Sequence, residues 1–193
     1  MSTALLEELI ADHVANLVPL TVAQLHEMVQ AGILYDGAPI ELIDGTLVYK
    51  DRSLVGDESM THNPLHASAV WRLMHLVTKW AEGIGCFVRC QLPVTLSETS
   101  EPEPDMAIIK GNPADFIDRH PGPGDIAAVF EVGHSSLRFD RKIKRRLYAS
   151  AGIPTYWIVD LQTKLIEVHL QPDTAGGTYL DRTEYLPGQS IPL

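Results

Sequence analysis

The sequence has only two cysteines, no apolar run long enough to cross a membrane, and no excess of positive charge. Two thiols cannot build a disulfide framework, and a transmembrane helix needs roughly 18–20 consecutive apolar residues. The N-terminal stretch carries acids where a secretory signal would carry basic residues. We therefore expect a cytoplasmic protein. The net charge of −10 also argues against indiscriminate binding to nucleic acid.

Cys86 and Cys90 lie in one predicted strand. Residues four apart on a strand share a face but are separated by about 13 Å, which is too far for one ion to bridge them. We therefore expect both thiols to have a structural, buried role.

The chain does contain enough apolar sequence for a packed core. It has 193 residues, of which 45% are hydrophobic and 21% charged, as expected of one soluble domain. We predict a single domain over 1–193, with an N-terminal helix and hairpin (20–50), a core (about 62–161) and C-terminal strands (162–193).

Local signals predict the order of the elements. Thr21-x-x-Gln24 is a capping box that starts a helix, and Asp44-Gly45 is a hairpin turn signal inside Ile40–Val48. A polar loop (51–61) precedes a helix starting at Asn63-Pro64. The predicted strands are Phe87–Leu96, Met106–Ile109, Ile126–Val132, Tyr156–Val159, Ile166–Leu170 and Thr178–Tyr185. With a helix capped by Asp140 and running to Gly152, this order predicts an α/β fold with helices flanking a mixed sheet.

Two carboxylates interrupt the apolar strands. Glu131 ends the run 126–130, where a carboxylate is costly to bury unless it is paired or binds a metal. Asp105 opens another apolar strand, so the two converge if those strands are neighbours. Such a pair suits Mg2+, which could activate water for phosphoryl displacement. Spacing alone leaves an alternative open, in which Asp105 caps a turn and Glu131 pairs with an arginine.

A basic cluster follows, because residues 138–146 read RFDRKIKRR. Lys144 lies on the rim of a helical stripe formed by Ile143, Leu147 and Ala151, and it could stabilise developing negative charge. It could equally be a surface lysine that extends its ammonium group to solvent. The outward-facing members could contact a phosphate backbone or form an ordinary solvated helix face; they are Lys142, Arg145 and Arg146.

The stretches SEPEPDMAIIKG (Ser100–Gly111) and FEVGHSSLRFDRKIKRRLYASAGIPTYWIVDL (Phe130–Leu161) resemble the "Uma-two-like" family of restriction endonucleases. That family is a bacterial branch of the PD-(D/E)XK nuclease superfamily. The resemblance extends to IELIDGTLV, THNPLHASAVWRL and QLPVTL, and it covers roughly residues 20–190. It implies a restriction-endonuclease-like core and a Mg2+-dependent DNA endonuclease, with Mn2+ as a possible substitute.

The resemblance also implies roles for individual residues. Pro104-Asp105 matches the PD half of the motif and Glu131 its second acid, which makes both expected metal ligands. Gly133 stands where the motif lysine is expected, and Lys144 fits a lysine moved onto the following helix. Glu41 matches a further catalytic acid of the family, although a hairpin glutamate is often solvated.

Four more positions are candidate substrate-binding residues: Gln91, His66, Arg141 and Arg145. Gln91 could instead be a satisfied edge residue, and His66 a hydrogen-bonded core histidine. His134 departs from the aspartate or serine typical of relatives, and we expect no consequence. A zinc site at His62 and His66 is not expected, because His62 precedes the helix.

Two other functions stay open. The missing lysine at Gly133 and the acidic net charge would suit a catalytically degenerate nucleic-acid-binding or regulatory protein. An RNA-directed nuclease would use the same fold, because fold does not fix the substrate. A homodimer would suit cleavage of both strands of a duplex.

Overall fold

The computed structural model describes residues 18–50, 64–133 and 136–192. The predicted loop 51–61, the helix cap Asn63, and the residues His62 and His134 lie outside the described residues. In the described part of the chain, no helix combines the length and apolarity needed to cross a membrane.

The first described helix begins at the predicted capping box. Helix α1 spans Val22–Gln30. Thr21 Oγ1 accepts a hydrogen bond from the Gln24 backbone N–H, and Gln24 Oε1 accepts one from the Thr21 backbone N–H. Two donors that the helix leaves unpaired are thereby satisfied. The predicted start of this helix is confirmed.

The predicted hairpin is also confirmed. Strands β1 (Ile40–Ile43) and β2 (Thr46–Tyr49) pair in antiparallel fashion. Asp44 and Gly45 connect them, both with positive φ, as a two-residue hairpin turn requires. A Cβ on Gly45 would lie 2.2 Å from Pro19 Cβ, so only glycine fits where the preceding chain crosses this turn.

A mixed six-stranded sheet forms the centre of the fold, in the order β3-β4-β5-β6-β7-β8. Its strands are β3 (Cys86–Cys90), β4 (Met106–Lys110), β5 (Ile126–Gly133), β6 (Thr155–Asp160), β7 (Leu165–Asp173) and β8 (Thr178–Tyr185). The pair β5–β6 is parallel, and the other neighbouring pairs are antiparallel. The predicted C-terminal strands therefore extend the same sheet.

Helices cover both faces of this sheet. Helix α2 (Pro64–Gly83) packs on one face, where Val77 and Ala81 are buried with Met106 and Ile108. The other face carries a helical segment in three consecutive parts, which are α3 (Leu137–Phe139), a π-helical stretch (Asp140–Lys144) and α4 (Arg145–Ser150). Successive residues of β4 alternate between the two cores, because strand side chains alternate faces.

Two predicted boundaries were wrong. Strand β3 ends at Cys90 rather than Leu96, because Gln91 adopts a left-handed φ of 50° that interrupts strand geometry. Asp140 does not cap the last helix, because helical structure already starts at Leu137. Asp140 instead lies buried inside the helical segment and accepts a hydrogen bond from Ser136 Oγ at 2.7 Å.

Candidate active site

Asp105 and Glu131 are brought together by the pairing of β4 with β5. Met106 is opposite Phe130 in this antiparallel pair, so Asp105, one residue earlier, is adjacent to Glu131, one residue later. The Val132 backbone N–H donates to Asp105 Oδ2 at 2.8 Å, and the Asp105 backbone N–H donates to Glu131 Oε2 at 3.5 Å. The predicted convergence of the two carboxylates is therefore seen in the fold.

Lys144 reaches this pair from the helix above the sheet. Its Nζ donates to Glu131 Oε1 at 3.2 Å and to Glu41 Oε1 at 2.7 Å. All three side chains are buried. Glu41 is held there because the Glu103 backbone N–H also donates to its Oε1, at 2.8 Å. Three segments that are far apart in sequence thus meet at one ammonium group.

Lys144 lies deeper than its predicted position on the rim of the helix. The backbone N–H of Arg145 bonds to the carbonyl of Asp140, five residues earlier, which is the spacing of a π-helix. The extra residue shifts the helical phase, so that Asp140, Lys144 and Tyr148 are all buried. Ile143 packs only partly buried against the core. Single π-helical turns often occur at functional sites.

The close packing around Gly133 accounts for the absence of a lysine at this strand position and for the position of Lys144 on the helical segment. A Cβ built at position 133 would lie 2.6 Å from Leu137 Cδ2 and 3.1 Å from Asp140 Oδ2. The helical segment therefore occupies the space that a side chain on this strand would need. A lysine at 133 would displace the helix, whereas Lys144 brings its ammonium group to the same carboxylate from that helix.

The electrostatics of Glu131 are dominated by burial. Loss of hydration raises the pKa of Glu131 well above its usual range; the Lys144 ammonium opposes this, and the charge of Asp105 adds to it. Burial alone would lower the pKa of Lys144, but attraction to Glu131 and Glu41 outweighs it and raises that pKa. The lysine is therefore cationic at neutral pH.

Tyr148 completes the surroundings of Glu131. Its hydroxyl donates to Glu131 Oε1 at 2.9 Å, and burial raises the pKa of this phenol, so it remains a donor. Lys144 and Tyr148 both bind Oε1. From the described residues, the other oxygen, Oε2, receives only the long bond from the Asp105 backbone N–H, which leaves it available to accept a cation.

His66 contacts the other carboxylate from the first turns of α2. Its Nε2 lies 3.1 Å from Asp105 Oδ1. The hydrogen bond with Asp105 raises the pKa of His66, which favours a charged or donating imidazole. The Asp105 side chain is 17% exposed, so solvent reaches the site on this side. His66 therefore faces the carboxylate pair.

The residues at this site fit a hard divalent cation. Carboxylates outnumber the buried ammonium of Lys144, since four lie in this region: Asp105, Glu131, Glu41 and Asp140. Their mutual repulsion and the desolvation of Glu131 would both be relieved by a cation. Mg2+ binds through one or two carboxylates and keeps several waters. Asp105 and Glu131 would hold it, and the exposed side of Asp105 leaves room for water.

Gln91 lies directly after β3, and Arg145 begins α4. Gln91 is exposed directly after β3, and its backbone N–H donates to the Asp105 carbonyl at 3.2 Å. Arg145 is half-buried, and its Nε has no hydrogen-bond partner among the described residues. The structure brings neither side chain into contact with the carboxylate pair, and their predicted roles in substrate binding stay predictions.

Arg141 lies in a separate ion-pair network on β6 and β7. Its guanidinium donates to Glu167 Oε1 at 2.6 Å and to Asp160 Oδ2 at 2.8 Å. Although burial opposes ionisation, hydrogen bonds from His169, Arg141 and Arg182 lower the pKa of Glu167 to about 2. Sequence reasoning missed Glu167, whose only local signal is an acid inside the strand pattern LIEVHL. Arg141 thus pairs with two buried carboxylates, and its predicted role in substrate binding stays a prediction.

The basic cluster 138–146 does not form one free cationic face. Lys144 is buried, Arg141 is paired as above, and Arg146 Nη2 lies 2.6 Å from Asp44 Oδ2. Arg138 and Lys142 are exposed, and neither forms an ion pair with another described residue. Any phosphate contact from this segment therefore rests on fewer side chains than its six basic residues suggest.

The chain has the predicted α/β fold, with a central mixed sheet flanked by helices. The model of the Uma2 family, described as "Putative restriction endonuclease", matches residues 23–193, and the chain belongs to this family. No curated protein matches the chain.

The solved structures that are similar to it include two examples. One is the crystal structure of a "putative nuclease belonging to DUF820" from Anabaena variabilis, at 14% identity and a TM-score of 0.61, with 91% of this chain and 89% of that chain covered. The other is the cryo-EM structure of the DrdV–DNA complex, at 16% identity and a TM-score of 0.38, with 62% of this chain and 10% of that chain covered. The first likeness confirms the predicted fold class.

Proposed function

We propose that this chain is a Mg2+-dependent endonuclease that hydrolyses phosphodiester bonds in DNA. The observation that carries the proposal is the contact of the buried Lys144 ammonium with Glu131, beside Asp105, in a chain of the Uma2 family. A cation, two acids and a solvent-exposed edge meet at one end of two neighbouring strands. Such a constellation is suited to phosphoryl transfer, in which catalysis is largely positioning and charge stabilisation.

Each side chain has a chemical task in this proposal. A bound Mg2+ would supply a polarised water and neutralise charge on the phosphate, held by Asp105 and Glu131. Tyr148 and Lys144 donate to Glu131 Oε1, so that Oε2 would be the oxygen that binds the metal. Lys144 also places a fixed positive charge where the pentavalent phosphate develops negative charge. His66 orients Asp105 through its Nε2 contact.

Glu41 is a positioning residue in this scheme. It shares the Lys144 ammonium with Glu131, so it restrains the direction in which the lysine points. Gln91, exposed directly after β3, and Arg145, which follows Lys144 in the chain, are the candidate substrate-binding residues of this scheme. Exposed Arg138 and Lys142 could contact phosphates, which would make retention on DNA weaken with salt.

A plasmid-nicking assay tests the proposal. Full-length protein with millimolar Mg2+ or Mn2+ should convert supercoiled plasmid to nicked circles, and chelation should stop the reaction. Asp105→Asn should lower the rate at least about 100-fold, because metal-assisted stabilisation contributes several kcal/mol. Asp181→Asn, the same change at an exposed position on β8, is the matched control and should leave the rate unchanged.

The outcomes separate the proposal from its alternatives. Absence of nicking with both ions, or equal nicking by Asp105→Asn, contradicts it. DNA retention by both the wild type and Asp105→Asn, with no cleavage by either protein, would favour the degenerate nucleic-acid-binding protein. Faster cleavage of a matched RNA would assign the activity to RNA instead. Linear plasmid formed without a nicked intermediate would indicate a homodimer acting on both strands.

A further inference from the structure

His26, Glu101 and His120 form a second cluster of metal-ligating side chains. One ligand atom from each lies within 4.8 Å of the other two, and His26 Nε2 is 2.7 Å from Glu101 Oε1. Within residues 18–50, 64–133 and 136–192, it is the only group of three or more His, Cys, Asp or Glu side chains with this spacing. Sequence reasoning did not find it, because the three residues share no motif.

The backbone ties the three ligand-bearing segments together. At the start of α1, Val22 N–H donates to the Glu98 carbonyl at 2.8 Å. Thr95 N–H donates to the Pro121 carbonyl at 2.9 Å, next to His120, and Glu101 N–H donates to the Leu42 carbonyl at 2.8 Å. Main-chain contacts thus hold the three segments that carry the ligands close together.

Glu101 is oriented for ligation. It is buried, and Thr95 Oγ1 donates to its Oε2 at 2.6 Å. This bond holds one oxygen and leaves Oε1 directed at His26. Outer hydrogen bonds of this kind are typical of carboxylates that bind metals, since they fix the ligand before the ion arrives.

The cluster opens into a cleft of about 660 Å³. Its walls include Arg89, Phe116 and Arg119. Arg89 Nε is buried without a hydrogen-bond partner among the described residues. It could therefore donate to an anionic ligand of a metal ion bound in the cluster. Three protein ligands beside an open cleft leave a coordination position for water or another small ligand.

We propose that His26, Glu101 and His120 bind a divalent transition-metal ion of the Zn2+ class, with one coordination position open to the cleft. Two imidazoles and one carboxylate are a ligand set for Zn2+ and similar ions. The oxygen ligands Asp105 and Glu131 instead suit Mg2+. The two sites therefore select different metals. The ion would tie α1 and the His120 loop to the segment that leads into Asp105.

Thermal unfolding of the chelator-treated full chain with added Zn2+ tests this site. At a free Zn2+ concentration about 100-fold above Kd, the Tm should rise by roughly 5–10 °C. His26→Ala and His120→Ala should each lose most of this rise and bind Zn2+ at least about 10-fold more weakly. His75→Ala removes an exposed histidine stacked on Trp71, and it should respond like the wild type.

A second readout separates this cluster from the Asp105 site. Co2+ bound to nitrogen and oxygen ligands should give visible d–d absorption that Asp105→Asn retains and His26→Ala loses. Loss of the Zn2+ response in Asp105→Asn would place the ion at the other site and overturn the proposal. Equal Tm shifts in wild type, His26→Ala and His120→Ala, or none in the wild type, would leave only a hydrogen-bonded His26–Glu101 pair.

Discussion

Replacing Lys144 by methionine is expected to lower the rate of plasmid nicking by at least about 100-fold, because removal of one fixed stabiliser of transition-state charge typically has an effect of this size. The same change leaves Glu41 and Glu131 buried without their shared cation. Removing one partner of a buried ion pair costs about 3–5 kcal/mol. For a chain of this size, the Tm should fall by roughly 6–20 °C.

The loss of stability should depend on pH. Burial raises the pKa of Glu131, and without Lys144 protonation of this carboxylate relieves its desolvation and its repulsion with Glu41, so the fall in Tm should be smaller at pH 5.5 than at pH 8. Nicking is therefore compared at a temperature where circular dichroism shows both proteins folded. Lys142→Met is the matched control, because Lys142 is an exposed lysine of the same segment, and it should change stability by less than about 0.5 kcal/mol.

The affinity for Mg2+ distinguishes a catalytic role of Lys144 from a role in metal binding. Lys144→Met should bind Mg2+ at least as tightly as the wild type in calorimetry, because loss of a cation strengthens the attraction of the remaining carboxylates for Mg2+. An undiminished nicking rate in folded Lys144→Met would contradict the catalytic assignment of this lysine, whatever its effect on Tm.

Replacing Glu131 by glutamine is expected to abolish the response to Mg2+ without destabilising the fold at pH 8. Burial raises the pKa of Glu131 well above its usual range, so ionisation of this group costs folding free energy. That cost is absent below the pKa that Glu131 has in the unfolded chain. It grows as the pH rises toward the higher pKa that Glu131 has in the folded protein. Glutamine resembles the neutral acid, and its Oε1 can still accept from Lys144 and Tyr148.

Thermal unfolding between pH 5 and pH 8 measures this effect. The Tm of Glu131→Gln relative to the wild type should increase with pH. At Mg2+ about 100-fold above Kd, the wild type should gain about 2.7 kcal/mol, whereas Glu131→Gln should gain nothing. Nicking should fall at least about 100-fold, since the metal contributes several kcal/mol.

Glu167 provides the matched control for a buried glutamate. Its pKa is lowered to about 2, so its charge stabilises the fold above its unfolded pKa of about 4.5, and this contribution is lost as the pH falls toward 2. Glu167→Gln should therefore destabilise the protein at pH 8, the opposite of Glu131→Gln. A destabilised Glu131→Gln that still responds to Mg2+ would show that Glu131 is a structural ion-pair residue.

The carboxylate pair could be predicted from the sequence because its signals are local. A glutamate after one apolar run and an aspartate before another mark the two positions, whereas their convergence required β4 and β5 to be neighbours in the sheet and was favoured by the family resemblance. The capping box at Thr21 and the turn at Asp44-Gly45 are short-range signals of the same kind. Each depends on a few residues whose backbone preferences agree with the fold.

The surroundings of the pair could not be predicted in this way. The depth of Lys144 depends on the π-helical turn, which changes the helical phase by one residue. The contact of Glu41 with Lys144 depends on how the hairpin docks against the chain around Glu103. The ion pairs of Arg141 with Asp160 and Glu167 depend on the pairing of β6 with β7. These features arise from packing between distant segments, which residue spacing does not encode.

The central claim is that Asp105 and Glu131 together hold one divalent cation. Crystals of the full chain grown with Mn2+ would test it through the anomalous difference map. We expect a peak that contacts an Asp105 carboxylate oxygen and Glu131 Oε2, and that is lost in Glu131→Gln. A map with no peak at this pair, or with a peak only at His26, Glu101 and His120, would contradict the claim.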